Sequence, residues 1–194
     1  MLVNEIFYSL QGEGYHAGTP AVFVRLSGCN LQCPFCDTQH ESGTEMSEEA
    51  IVAEVTQYPA RLVVVTGGEP SLQLTESLVA ALHEKDRIIA VETNGTCPLP
   101  SNVDWITLSP KDLFLGEEAR VTLDTVNEIK VVFDGEHEPR LYTHIKCTHA
   151  RFLQPCDTGD AERNAEITAQ TIDYIKRDPR WNLSLQIHKI LDIR

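Results

Sequence analysis

Short apolar runs alternate with amphipathic stretches along most of this chain, and that alternation limits its fold more than any other feature. Strands are expected at 4–10, 21–28, 61–68, 87–95, 104–111, 127–134 and 150–155. Runs such as "RLVVVTGG" are continuously apolar, the pattern of strands buried on both faces in a parallel sheet. Between them, 46–58, 71–85 and 161–177 carry apolar residues at helical spacing. Ser47 is the expected N-cap of the first helix, with Glu48 and Glu49 in its first turn. Strand–helix alternation builds βα units, so the expectation is an α/β fold with mainly parallel strands. No repeat, low-complexity run or Pro/Ser-rich linker interrupts it, and one domain over 1–194 is expected. Polar "TGGEP", "ETNG" and "SPK" each follow the last apolar residue of a strand. Parallel α/β folds bind ligands at those C-terminal strand ends, so the chemistry is expected on one rim.

Charge narrows the partners. The chain has 16 basic and 29 acidic side chains and a net charge of -13, which argues against a general nucleic-acid binder. A few local cations can still hold a small anionic ligand. No stretch approaches the roughly 18 apolar residues of a membrane span. The opening "MLVNEIFYSLQGEG" lacks a basic segment followed by an apolar core, so no signal peptide and a cytoplasmic location are expected.

The six cysteines are not arranged as a disulfide framework. Three of them, Cys29, Cys33 and Cys36, fall in "SGCNLQCPFCDTQH" with spacing C-x3-C-x2-C. Cys97, Cys147 and Cys156 are scattered and read as buried or half-buried free thiols. One metal reading adds His40, four residues after Cys36, to make a Cys3His zinc site. The other is a [4Fe–4S] cluster on three thiolates, with one iron left open to a ligand or closed by Cys97.

C-x3-C-x2-C after a strand resembles the radical S-adenosylmethionine (SAM) superfamily. Phe35 before the third cysteine and "VTGGEP" about thirty residues on strengthen the likeness. Within that superfamily "SLQGEG", "GTPAVFVRLSGCNLQCPFCDT", "VETNGT", "SPK", "LQP" and the final "LSLQIHKILDIR" are similar to the 7-carboxy-7-deazaguanine synthases. The likeness runs from residue 5 to 194, with 112–149 divergent. It implies an incomplete, shortened (β/α) barrel of the radical SAM type, usually a homodimer. It also implies a reaction: 6-carboxy-5,6,7,8-tetrahydropterin becomes 7-carboxy-7-deazaguanine with loss of ammonia. In that family a 5′-deoxyadenosyl radical made from SAM takes hydrogen from C6, the ring contracts, and SAM is regenerated. A flavodoxin is a suitable electron donor.

Site residues carry over from the resemblance by motif. Cys29, Cys33 and Cys36 would hold the cluster, whose open iron would take SAM. Phe35, Cys36, Asp37, Gly68, Glu92, Ser109, Lys111 and Gln154 would contact SAM. Thr38 would be a magnesium ligand, with other oxygens from water and substrate. Leu10, Gln11, Gly12, Glu13, Arg25, Thr66, His188 and Arg194 would bind the pterin. Glu13 suits its guanidine-like edge, because a carboxylate accepts from two donors at once. Arg25 sits in an apolar strand, where a charge needs a partner. That partner is either the substrate carboxylate or a buried acidic residue.

Two other functions remain open on sequence. A glycyl-radical-enzyme activase shares the short core and cysteine spacing but must admit a protein loop. A non-enzymatic zinc or iron–sulfur protein would need a fourth protein ligand, His40 or Cys97.

Overall fold

The computed structural model describes residues 1–36, 38 and 40–194. One nine-stranded sheet organises them. Its strands are β1 (Leu2–Leu10), β2 (Pro20–Leu26), β3 (Thr44–Glu45), β4 (Leu62–Gly67), β5 (Ile88–Thr93), β6 (Trp105–Leu108), β7 (Thr125–Phe133), β8 (Lys146–Pro155) and β9 (Asn182–Leu183). The spatial order is β3-β1-β2-β4-β5-β6-β7-β8-β9, and every pair from β2 to β9 is parallel. The helices are α1 (Glu48–Val55), α2 (Glu76–His83), α3 (Asp112–Leu115), α4 (Ala161–Arg177) and α5 (Ile187–Leu191). This is an incomplete α/β barrel with two sheet edges.

Each expected strand is present, the short β3, β9 and α5 are additional, and three further features differ from the sequence reading. First, β1 runs antiparallel to β2. The two are joined by residues 11–19, too few for the crossover that a parallel pair needs. Second, the expected helix 71–85 is divided. Pro70–Leu72 forms a 3-10 turn, and Thr75 then caps α2 by accepting from the Leu78 N–H at 3.2 Å. Third, 112–149 adds α3 and a 3-10 turn over Gly116–Ala119, neither expected, ahead of the expected strand β7. As expected, Ser47 caps α1, accepting from the Ala50 N–H at 3.2 Å.

Register explains the continuous apolar runs. Val22, Val24, Val63, Val65, Ile89 and Val91 face α1 and α2 and pack on Ile51, Val55, Leu78 and Leu82. The alternate residues Ala21, Phe23, Leu62, Val64 and Ala90 face inward and join Phe7 and Trp105 in a separate layer. Phe7 and Phe23 stack there at 4.9 Å. Both faces therefore exclude water, and each fully buried aliphatic side chain contributes about 1.5–3 kcal/mol.

Beyond this inner apolar layer the same strands turn polar. Glu5 pairs with Arg25, Arg25 with Thr66, Glu92 with Thr107, and Thr107 with Glu128. Thr66 donates to Glu92 at 3.3 Å and completes the row. The apolar layer thus forms a floor, with a charged row between it and the loops at the strand ends.

Candidate active site

The cysteine loop leaves β2 through Ser27 and Gly28. Gly28 has φ of 85°, and its N–H donates to the His40 carbonyl at 2.8 Å, closing the loop. The loop is braced from its neighbours. Asn94 and Thr96, in "ETNGT", hydrogen-bond to the Asn30 side chain at 3.0 and 2.8 Å. Glu69, in "GGEP", is buried and accepts from the Thr93 hydroxyl at 2.6 Å and the Asn94 N–H at 2.7 Å. The ends of β4 and β5 are therefore tied together beneath the loop.

Gly67 and Gly68 allow a close approach, but to the chain itself. A Cβ on Gly68 would lie 1.8 Å from the Gly28 carbonyl oxygen. Gly67, at φ of 119°, is similarly pressed against the Leu26 backbone.

One cavity of about 600 Å³ opens above the floor. Cys29, Cys33, Phe35, Cys36 and Thr38 line one side of it, with Gly68, Ser109 and Lys111. Leu10, Gln11, Gly12, Glu13, Arg25, Thr66, Glu92, Gln154, His188 and Arg194 also line it. Asp37 lies outside the described residues. His40 lines the cavity, whereas Cys97 is not among its lining residues.

The two expected groups of residues meet rather than stay apart. Glu92, expected on the SAM side, accepts from Gln11 at 3.0 Å and from Thr66. Gln154 accepts from Ser184 at 2.8 Å, and Ser184 in turn accepts from the Gly14 N–H. Lys111 donates to the Ser109 carbonyl at 2.8 Å and sits 5.9 Å from the Phe35 ring centroid.

Arg25 has an acidic partner: its Nε donates to Glu5 at 2.9 Å. The Arg194 guanidinium contacts the other Glu5 oxygen and lies 4.8 Å from the Phe7 ring centroid. The structure thus supplies the ion pair that the apolar strand demanded, while Arg25 still faces the cavity.

Sequence reasoning missed three acidic groups and a lysine. Glu69 is the bracket described above. Lys130 is buried and ion-pairs with Glu13, with Glu92 at 3.8 Å. Glu128 is buried and accepts from the Tyr15 N–H at 3.0 Å. Glu5 closes the Arg25 pair. A usable signal existed: Glu128 and Lys130 are two apart in the apolar strand "NEIKVVFD" and so point the same way, the pattern that singled out Arg25.

The electrostatics follow from burial. Burial pushes both Cys29 and Cys33 thiols up, with Lys111 opposing it at Cys33. Burial also lowers Lys111. At Glu13 burial pushes the carboxyl up, but Lys130 outweighs it and holds the group below the usual range. At Lys130 burial is outweighed by Glu13 and Glu92, so the ammonium is held above its usual range.

At Glu128 the Tyr15 N–H and Lys130 oppose burial without outweighing it, and burial carries the carboxyl to about 7 from an ordinary 4.5. A stability prediction follows from the sign. The folded protein keeps this proton up to about pH 7, while the unfolded chain releases it near 4.5. Stability contributed by Glu128 is therefore lost as pH rises through that window, on the order of 3 kcal/mol in full. Glu128→Gln carries no charge at any pH. Denaturant unfolding should find the variant gaining on wild type by about 2–3 kcal/mol between about pH 5 and about pH 8. A difference that does not change with pH would refute the assignment.

Residues 23–114 match the Radical SAM superfamily. A 7-carboxy-7-deazaguanine synthase from Bacteroides thetaiotaomicron is 50% identical over 192 residues, covering 99% of this chain and 98% of that one. The chain belongs to the 7-carboxy-7-deazaguanine synthase family. A family member from Burkholderia multivorans is 42% identical, covering 98% of each chain. The crystal structure of QueE from Escherichia coli superposes with a TM-score of 0.73 at 28% identity, covering 96% of this chain and 94% of that one.

Radical SAM membership implies a [4Fe–4S] cluster and SAM, and the residues present fit them. Three thiols from one loop line a single cavity, with Cys36 acting on Cys29 and both Cys29 and Cys36 acting on Cys33. Thiolates are the ligands such clusters take. Among the described residues, no three His, Cys, Asp or Glu side chains converge as a single-ion site. No helix among them is long and apolar enough to cross a membrane.

Proposed function

We propose that this chain converts 6-carboxy-5,6,7,8-tetrahydropterin to 7-carboxy-7-deazaguanine with loss of ammonia. The observation that carries the reading is the shared cavity: the cysteine loop and the Glu13–Arg25 group line the same space. When bound, the cluster and SAM would supply the radical chemistry for hydrogen abstraction at C6 of the pterin.

The chain's own residues bind, orient and shield. Cys29, Cys33 and Cys36 hold the cluster. Phe35, Cys36, Asp37, Gly68, Glu92, Ser109, Lys111 and Gln154 hold SAM. Thr38 would offer its hydroxyl to a magnesium ion. Glu13 accepts from the guanidine-like edge of the pterin, with Leu10, Gln11, Gly12 and Thr66 beside it. Arg25 meets the substrate carboxylate, which then shares the guanidinium with Glu5. His188 and Arg194 cover the substrate from the C-terminal segment. The apolar floor of Phe7, Phe23, Val64 and Trp105 keeps water from the far side. A flavodoxin-type donor delivers the electron, a second copy of the chain completes a homodimer, and the enzyme works in the cytoplasm.

The test is anaerobic. Reconstituted protein is given reductant, SAM, magnesium and 6-carboxytetrahydropterin, and mass spectrometry looks for 7-carboxy-7-deazaguanine. Product formation is expected. Release of 5′-deoxyadenosine without that product would instead point to another radical SAM reaction, such as glycyl-radical activation.

A further inference from the structure

We infer that Lys130 and Gln186 are positioning residues that hold the Glu13 carboxylate as a two-point acceptor for the guanidine-like edge of the substrate. This rests on the proposed function and adds to it the residues that set recognition of that edge.

The argument is one of lone pairs. A carboxylate oxygen can accept about two hydrogen bonds. Among the described residues, Glu13 receives one donor on each oxygen: Lys130 Nζ on Oε2, and Gln186 Nε2 on Oε1 at 3.1 Å. The plane of the carboxylate is thereby set from two sides. Its backbone is held too, because the Glu13 N–H donates to Gln11 Oε1 at 3.1 Å. Each oxygen so keeps capacity for one further donor. That pair of oxygens matches a ligand with two parallel N–H donors, as the pterin's pyrimidinone amide and amino groups supply.

The charge balance makes Lys130 the controlling partner. Glu13 is faced by Lys130 from β7, His188 from α5 and Lys111 beyond β6, and Lys130 itself is shared with Glu92 from β5 and Glu128 from β7. Only Lys130 makes an ion pair with Glu13 among the described residues, and it is 5% exposed. Without it, Glu13 would be a largely desolvated carboxylate whose shared cation with Glu92 is gone, an arrangement that favours the protonated form. A protonated carboxyl has turned one acceptor into a donor and cannot receive both substrate N–H groups.

The experiment is calorimetric titration of the reconstituted protein with 7-carboxy-7-deazaguanine, which carries the same edge, between about pH 6 and pH 9. Wild type should bind with little pH dependence. Lys130→Met should bind about 10- to 100-fold more weakly at neutral pH and recover as pH rises and Glu13 ionises. Lys130→Arg should restore the flat profile. Gln186→Leu should weaken binding several-fold at every pH, and it keeps the proposal testable should Lys130→Met fail to fold. Wild-type affinity in Lys130→Met or in Gln186→Leu overturns the inference while leaving the proposed function standing. A Lys130→Met loss that is equal at all pH values does the same. If wild type itself binds neither this compound nor the pterin, the proposed function falls and the inference with it.

Discussion

Cys33→Ala should lose its iron–sulfur absorbance and bring 5′-deoxyadenosine and deazaguanine production to background. Cys33 lies between Cys29 and Cys36 on a loop closed at Gly28 and His40, and all three thiols face one cavity. Three thiolates on a four-iron cluster leave no spare protein ligand, so removing one leaves two irons without an anchor. His40 lines the same cavity but belongs to the zinc reading. The paired variant His40→Ala should therefore keep its cluster. Equal metal loss in both variants would sink the three-cysteine assignment. The fold should survive, because Cys33 is only half-buried and carries no core packing. A change within about 1 kcal/mol in unfolding free energy is expected.

The second large effect is structural. Gly68→Ala should destabilise the protein by about 1–3 kcal/mol through overpacking, lowering its melting temperature by about 3–10 °C for a chain of this size. The new Cβ would meet the Gly28 carbonyl oxygen at 1.8 Å and its carbon at 2.4 Å. Both are backbone atoms, so no side chain can rotate away. The Gly68 N–H to Leu26 and Glu69 N–H to Gly28 hydrogen bonds, at 2.9 and 2.8 Å, would shift with them. That displaces the base of the cysteine loop, so SAM affinity should fall as well. Gly18→Ala is the control: nothing lies within 4 Å of its Cβ, so it meets only the strain of a φ of 84°. Equal melting temperatures for Gly68→Ala and wild type, with unchanged SAM binding, would show that the contact yields more easily than backbone should.

The strands were legible because burial on both faces leaves continuous apolar runs, as in "RLVVVTGG". The helix over 71–85 was misread at its start for a local reason. Its apolar spacing continues through Leu72 and Leu74, and only the cap at Thr75 reveals where the helix begins. The cysteine loop was legible from spacing, since ligands on one loop must be near one another in the sequence. Glu5, Glu128 and Lys130 were not, although each is a charge in a strand. Their partners are Arg25, the Tyr15 backbone and Glu13, chosen by hairpin register and sheet order rather than by distance along the chain.

The sequence by itself determined the α/β strand pattern, the three-thiol loop and the family. These depend on local periodicity and on motif spacing, which a linear string records. Tertiary structure decided how the cavity is completed. The 11–19 loop begins at the end of the sheet away from the cysteines, because β1 is antiparallel to β2. It nonetheless brings Gln11 and Glu13 to Glu92 and Lys130 on the inner face. The last segment then bridges the two sides of the unclosed barrel, with Ile187 N–H on the Gly12 carbonyl and Ser9 on the Arg194 backbone. An open barrel must fill its gap with something other than a strand ladder, and only folded geometry shows which residues do so.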